Sequence, residues 1–190
     1  MKFFVFSVLT LLIHFKILSQ PHYIDPRRLS WSDYKGNVNY DSGFIAYTDC
    51  KISVTANNNA NKKSDIHFHI AFYPESSWVD WNVLGKKPHA YADSLFRHEL
   101  LHYYIGLIAF KKLKMAFQHF RFIDHQDLSQ NRNQITNFLA PYAIMQRDLN
   151  SKYDKETHYG TDRFQQHNWE KYIMKNVESL KSVRIDAYGN

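Results

Sequence analysis

The segment His98-Glu99-Leu100-Leu101-His102 places two histidines four positions apart, with a glutamate directly after the first. On an α-helix residues four apart lie on one face, a turn from each other, so two imidazoles at this spacing can converge on a single metal ion. Glu99 stands one step round from His98, where a carboxylate can accept a proton from a water that the metal has acidified. A hydrolytic zinc site needs this set, a third ligand from elsewhere in the chain, and one position left open for water. The bland alternative is a pair of buried histidines satisfied by backbone or carboxylate groups. It leaves Glu99 unexplained, because an unpaired carboxylate is costly to bury on a mostly apolar helix.

The elements that must position these residues follow from period and punctuation. From Tyr91 to about Met115 there is no proline and only Gly106. Leu95, Leu101, Ile105 and Ile108 fall at helical spacing with further apolar residues around the circumference, which predicts a deeply buried helix. Upstream, Ile66, Phe68, Ile70 and Phe72 alternate with His67, His69 and Ala71 before Pro74, predicting a half-buried strand. His67 and His69 share a face and could pair on a metal, although a solvent-facing role fits them better. Residues 43–55 predict an earlier strand, ended by the polar tract from Ala56 to Ser64. Downstream, Ile135, Phe138, Leu139, Tyr142, Met145 and Leu149 keep a helical period that Pro141 must either kink or divide. A last helix is expected from about Asp162 to Leu180, with Trp169, Tyr172 and Ile173 on one face. Strands first and helices after predict one α+β domain over residues 21–190.

Composition narrows the setting. A chain of 190 residues, 44% hydrophobic and 22% charged, can bury one sizeable core and does not read as disordered. The net charge of +6 is scattered, apart from pairs such as Lys62-Lys63 and Lys111-Lys112, and no recognition motif accompanies it, so no nucleic-acid partner is expected. Met1-Lys2 followed by the apolar run Phe3 to Ile13 predicts a secretory signal over residues 1–20. The run is shorter than the roughly 20 apolar residues of a membrane span, so no stable span is expected after cleavage, and the destination is the periplasm or the medium. Cys50, the one cysteine, cannot close an internal disulfide and is expected to pack as a small buried hydrophobe. Nothing in the sequence sets an oligomeric state.

Four blocks are similar to a known family, the bacterial zinc-dependent proteases catalogued as domain of unknown function 922. They are Leu29-Ser30-Trp31-Ser32-Asp33-Tyr34-Lys35-Gly36, then Ser76-Ser77-Trp78-Val79, then Leu95 to Tyr103 around the histidine pair. The fourth is Tyr153-Asp154-Lys155-Glu156-Thr157-His158-Tyr159-Gly160, continuing to Gln166 and Trp169. The resemblance implies a zincin-like domain, a zinc cofactor, and a peptide or protein substrate. In the family pattern Tyr-Asp-x-x-Thr is followed after one residue by His; here that position is Tyr159, with His158 one step earlier. The third metal ligand is therefore Asp154 or His158, and Tyr159 becomes a candidate to hydrogen-bond the oxyanion formed at a peptide carbonyl. Asp124 and His125 also follow the motif but match none of the blocks. Trp31, Trp78 and Trp169 are expected in the core or the cleft wall, and Arg97 either at the surface or supporting the ligands from behind. The expected function is an exported zinc metallopeptidase with His98 and His102 on the metal and Glu99 as general base. The alternative is a non-catalytic zinc-binding envelope protein that keeps the fold.

Overall fold

A computed structural model describes residues 25–56, 66–121, 123 and 128–183. The expected signal segment, most of the polar tract after residue 56, and Asp124 and His125 lie outside the described residues. The ordered elements are β1 (Ala46–Tyr47), β2 (Cys50–Ala56), β3 (Ile66–Phe72), β4 (Trp78–Val79), α1 (Trp81–Leu84), α2 (His89–His119), α3 (Leu128–Glu156) and α4 (Arg163–Ser179), preceded by short 3-10 turns. The architecture is α+β, with the strands before the long helices.

Helix α2 is the axis of the molecule. Its buried residues, from His98 through Leu113, point in all directions, because the β2–β3 hairpin covers one side and α3 and α4 cover the other. One apolar cluster joins α2 to the hairpin and the first half of α3 through Ile70, Phe72, Tyr103, Phe110 and Leu139. A second joins α2 to the end of α3 and to α4 through Leu101, Ile105, Tyr153, Trp169 and Ile173. No helix among the described residues is long and apolar enough to cross a membrane.

The expected strand over 43–55 divides in two. β1 pairs with β4, while β2 pairs antiparallel with β3 in a separate sheet, Cys50 opposite Phe72. The break falls at Thr48 and Asp49, both buried, whose polar groups take side-chain partners in place of a continuous ladder. Thr48 Oγ1 donates to Glu99 Oε2 at 2.7 Å, and Asp49 N donates to Ser77 Oγ at 2.8 Å. β3 is also more buried than alternation predicted, with only His67 exposed along it. His69 lies 2.7 Å from Thr55 Oγ1 across the hairpin, so it is committed there. α3 runs through Pro141 as one helix. Pro141 and Asn137, one turn before it, are both exposed, so the missing hydrogen bond falls on the solvent side. Cys50 is buried, and burial pushes its thiol well above the ordinary value, as an inert core residue requires.

At Gly106 α2 packs tightly against the hairpin. A methyl group there would lie 2.8 Å from Cys50 Sγ and 3.1 Å from Gln146 Nε2, which donates to the Cys50 carbonyl at 2.6 Å. Gly106→Ala gains about 1 kcal/mol in helix propensity but overpacks a contact worth about 1–3 kcal/mol and disturbs a buried hydrogen bond. The expected result is a net loss of about 1–2 kcal/mol in urea unfolding; a stabilised variant would show that the layers can part without cost.

Candidate metal centre

His98 and His102 lie on the buried face of α2, their rings 4.9 Å apart and nearly perpendicular. Their Nε2 atoms are 3.3 Å from each other. α3 crosses this face near its C-terminal end and delivers Asp154, whose Oδ1 is 3.2 Å from His98 Nε2 and 3.1 Å from His102 Nε2. Three potential donor atoms from two helices thus form a near-equilateral triangle.

Each ring is fixed from behind. His98 Nδ1 is 3.1 Å from Gln166 Oε1 on α4, and His102 Nδ1 is 3.1 Å from Asn150 Oδ1 on α3. With the amide oxygens accepting, both Nδ1 atoms carry a ring hydrogen, which turns both Nε2 atoms toward Asp154. Gln166 is itself held by Tyr153, its Nε2 donating to the phenol oxygen at 2.6 Å. Tyr153, fully buried, stacks on the His98 ring at 4.6 Å and meets His102 edge-on at 5.1 Å. Trp169 backs Tyr153 at 5.5 Å and donates to Glu156 Oε2 at 2.9 Å.

The turn after α3 closes the site. Thr157, fully buried, donates to the Tyr153 carbonyl at 2.7 Å and accepts from Gly160 N at 3.2 Å. His158, Tyr159 and Gly160 all take left-handed conformations, with φ of 48°, 55° and 78°. Only glycine tolerates this freely, and the side chain missing at Gly160 makes room for His98: a Cβ there would come within 2.9 Å of His98 Cγ. Gly160→Ala is expected to push the His98 ring out of line and weaken metal binding by tenfold or more while the protein still folds. Competition against a chromophoric chelator would measure it, and unchanged affinity would show that the turn does not set the ring.

The two candidates for the third position separate here. Asp154 reaches both histidines; His158 does not, because the left-handed turn directs its side chain outward. That side chain is 74% exposed, with Nδ1 4.0 Å from Asp162 Oδ2. Tyr159 is exposed and rests on the Phe44 ring at 5.2 Å. Glu99 is buried beside His98 and bonded by Thr48, whose hydroxyl lies 2.8 Å from that of Tyr34. Trp78 and Trp169 are buried, Trp31 is partly so, and Arg97 is exposed.

Charge is concentrated on the triangle. Burial opposes a charged His102, but the hydrogen bond and charge of Asp154, with help from Glu99 and Asn150, raise it to about 9. Burial acts to raise Asp154, yet its bonds to His102 and His98 hold its carboxyl well below the ordinary range. Burial and the Glu99 and Asp154 charges keep the Tyr153 phenol protonated. Burial, with the Asp49, Glu99 and Asp154 carboxylates, raises Tyr47 to about 12.

Sequence reasoning did not assign Asn150, Tyr153, Gln166, Thr48 or Tyr34. Asn150 was the most accessible of these, standing one helical turn before Asp154 on the same face. The group of His98, Glu99 and His102 could hold a metal ion. Compared with known proteins, the chain gives no significant match to any family model, curated protein or solved structure.

Proposed function

We propose that the protein is an exported zinc peptidase in which His98, His102 and Asp154 hold the metal and Glu99 serves as general base. The observation that carries this reading is the donor triangle, with edges of 3.1, 3.2 and 3.3 Å. With zinc–ligand bonds of about 2.0–2.1 Å, the edges of a zinc tetrahedron are roughly 3.3 Å, so the three atoms fit one face of it. With both Nδ1 atoms donating backward, both Nε2 atoms face the Asp154 carboxylate; a proton on His102 satisfies that contact in the metal-free protein, and a metal ion would take its place.

Two imidazoles and a carboxylate can also hold iron, and Glu99 is what turns the trio toward hydrolysis. Bound there, zinc would polarise a peptide carbonyl and acidify a water. Glu99 takes the proton of the attacking water on Oε1, the oxygen that Thr48 leaves free, and returns it to the leaving amine nitrogen. Gln166 and Asn150 keep the two rings in one tautomer throughout. Tyr159, one residue before the glycine packed against His98, is the residue we propose to offer a phenol to the oxyanion.

The test is elemental analysis of the purified protein followed by assay on a mixed peptide library. About one zinc per chain with cleavage supports the reading. Zinc without cleavage favours a non-catalytic metal-binding protein, and no metal uptake sinks the site.

A further inference from the structure

We propose that Thr48 and Tyr34 are positioning residues that hold Glu99 with one carboxylate oxygen committed and the other free for the reacting proton. This inference rests on the peptidase reading. Thr48 Oγ1 lies 2.7 Å from Glu99 Oε2, and the Tyr34 hydroxyl lies 2.8 Å from Thr48 Oγ1. Tyr34, Thr48 and Glu99 are 7%, 8% and 4% exposed, so water does not compete for these bonds.

Donor counting sets the direction of the chain. An ionised carboxylate only accepts, so Thr48 gives its one hydrogen to Glu99 and must accept from Tyr34. Tyr34 keeps a hydrogen to give, because burial and the Glu99 charge push its phenol well above the ordinary value. A proton arriving at Glu99 meets an Oε2 that already has a hydrogen directed at it. Oε1 is then the oxygen that takes the proton from water and hands it to the amine nitrogen. A carboxylate free to rotate would leave this alignment much of the time.

The chain also gives the first sequence block a task. Ser30 N donates to Asp33 Oδ2 at 2.8 Å, closing a capping box around the turn Trp31–Asp33. Tyr34 follows, set edge-on against Trp31 at 5.0 Å and Phe72 at 5.2 Å. Gly36 N then binds the Ser77 carbonyl at 2.8 Å, anchoring the block to the segment that leads into β4. The phenol is thereby held in place against Thr48, Trp31 and Phe72, and acts on Glu99 through Thr48.

Two measurements on the full chain decide the matter. In metal-free protein, Thr48→Val is expected to lower the unfolding midpoint by about 5 °C, and by less than half as much when Glu99 is already replaced by Leu. Equal drops in the two backgrounds would overturn the hydrogen-bond chain. In zinc-loaded protein, Thr48→Val is expected to lower kcat by about 10²-fold with KM within about twofold, Thr48→Ser to recover kcat to within about threefold, and Tyr34→Phe to fall between. Wild-type kcat in Thr48→Val would overturn the positioning role. A zinc-loaded wild type that cleaves no peptide would overturn the peptidase reading and the base role together. That failure is distinct from the first, because the unfolding coupling is read without metal or substrate.

Discussion

Glu99→Gln is expected to lower kcat/KM for peptide hydrolysis by about 10³-fold, or roughly 4 kcal/mol of transition-state stabilisation, while leaving metal content unchanged. The amide keeps the size of the carboxylate and its carbonyl oxygen can still accept from Thr48, so the variant removes little besides the ability to take a proton. Folding stability should hold or rise, since a buried carboxylate is costly even when hydrogen-bonded. Single-turnover assays with parallel metal analysis would check this. Loss of metal together with activity would place Glu99 among the ligands, which would close the position that water must occupy and favour the non-catalytic alternative.

Asp154→Asn is expected to weaken zinc binding by more than the roughly 10–100-fold that loss of an outer partner costs, since it removes the one charged donor. It should also change the pH behaviour of the metal-free protein. His102, raised from 6.5 to about 9, contributes stability that is fully present below pH 6.5 and is lost as pH rises through about 9. Asp154, depressed from 3.8, contributes stability that is present above that value and is lost in acid. Together the pair supports the metal-free fold best between about pH 4 and 6.5, and that maximum should flatten in the variant. Metal must displace the His102 proton, so zinc affinity of the wild type should rise about tenfold per pH unit up to about pH 9. Titrations at several pH values, in buffers of different ionisation enthalpy, would register the released proton. A pH-independent affinity would show that the proton is not on this site.

The fourth sequence block shows how much of the site could be read and how much could not. Tyr153, Asp154, Thr157, Gly160, Gln166 and Trp169 stood out as a pattern, yet their tasks come only from packing. Tyr153 lies under both rings, Thr157 ties the turn to α3, Gly160 seats against His98, and Gln166 reaches back from α4 to the same imidazole. The departure at His158 and Tyr159 left two candidates for the third ligand. Three successive left-handed residues turn His158 outward while Asp154 faces both rings, and backbone handedness of that kind has no signature in side-chain type.

His98, Glu99 and His102 were determined by sequence alone, because a helix converts a spacing of four into a shared face and every contact involved is local. The order of strands before helices was legible for the same reason, since periods of 2 and 3.6 are properties of neighbouring residues. The tertiary structure decided the rest. Asp154 meets His98 across 56 residues and Thr48 meets Glu99 across 51, and no local period encodes where two distant segments cross. The break between β1 and β2 belongs to this second group, because Thr48 leaves the strand for a partner that only the packing of α2 brings within reach.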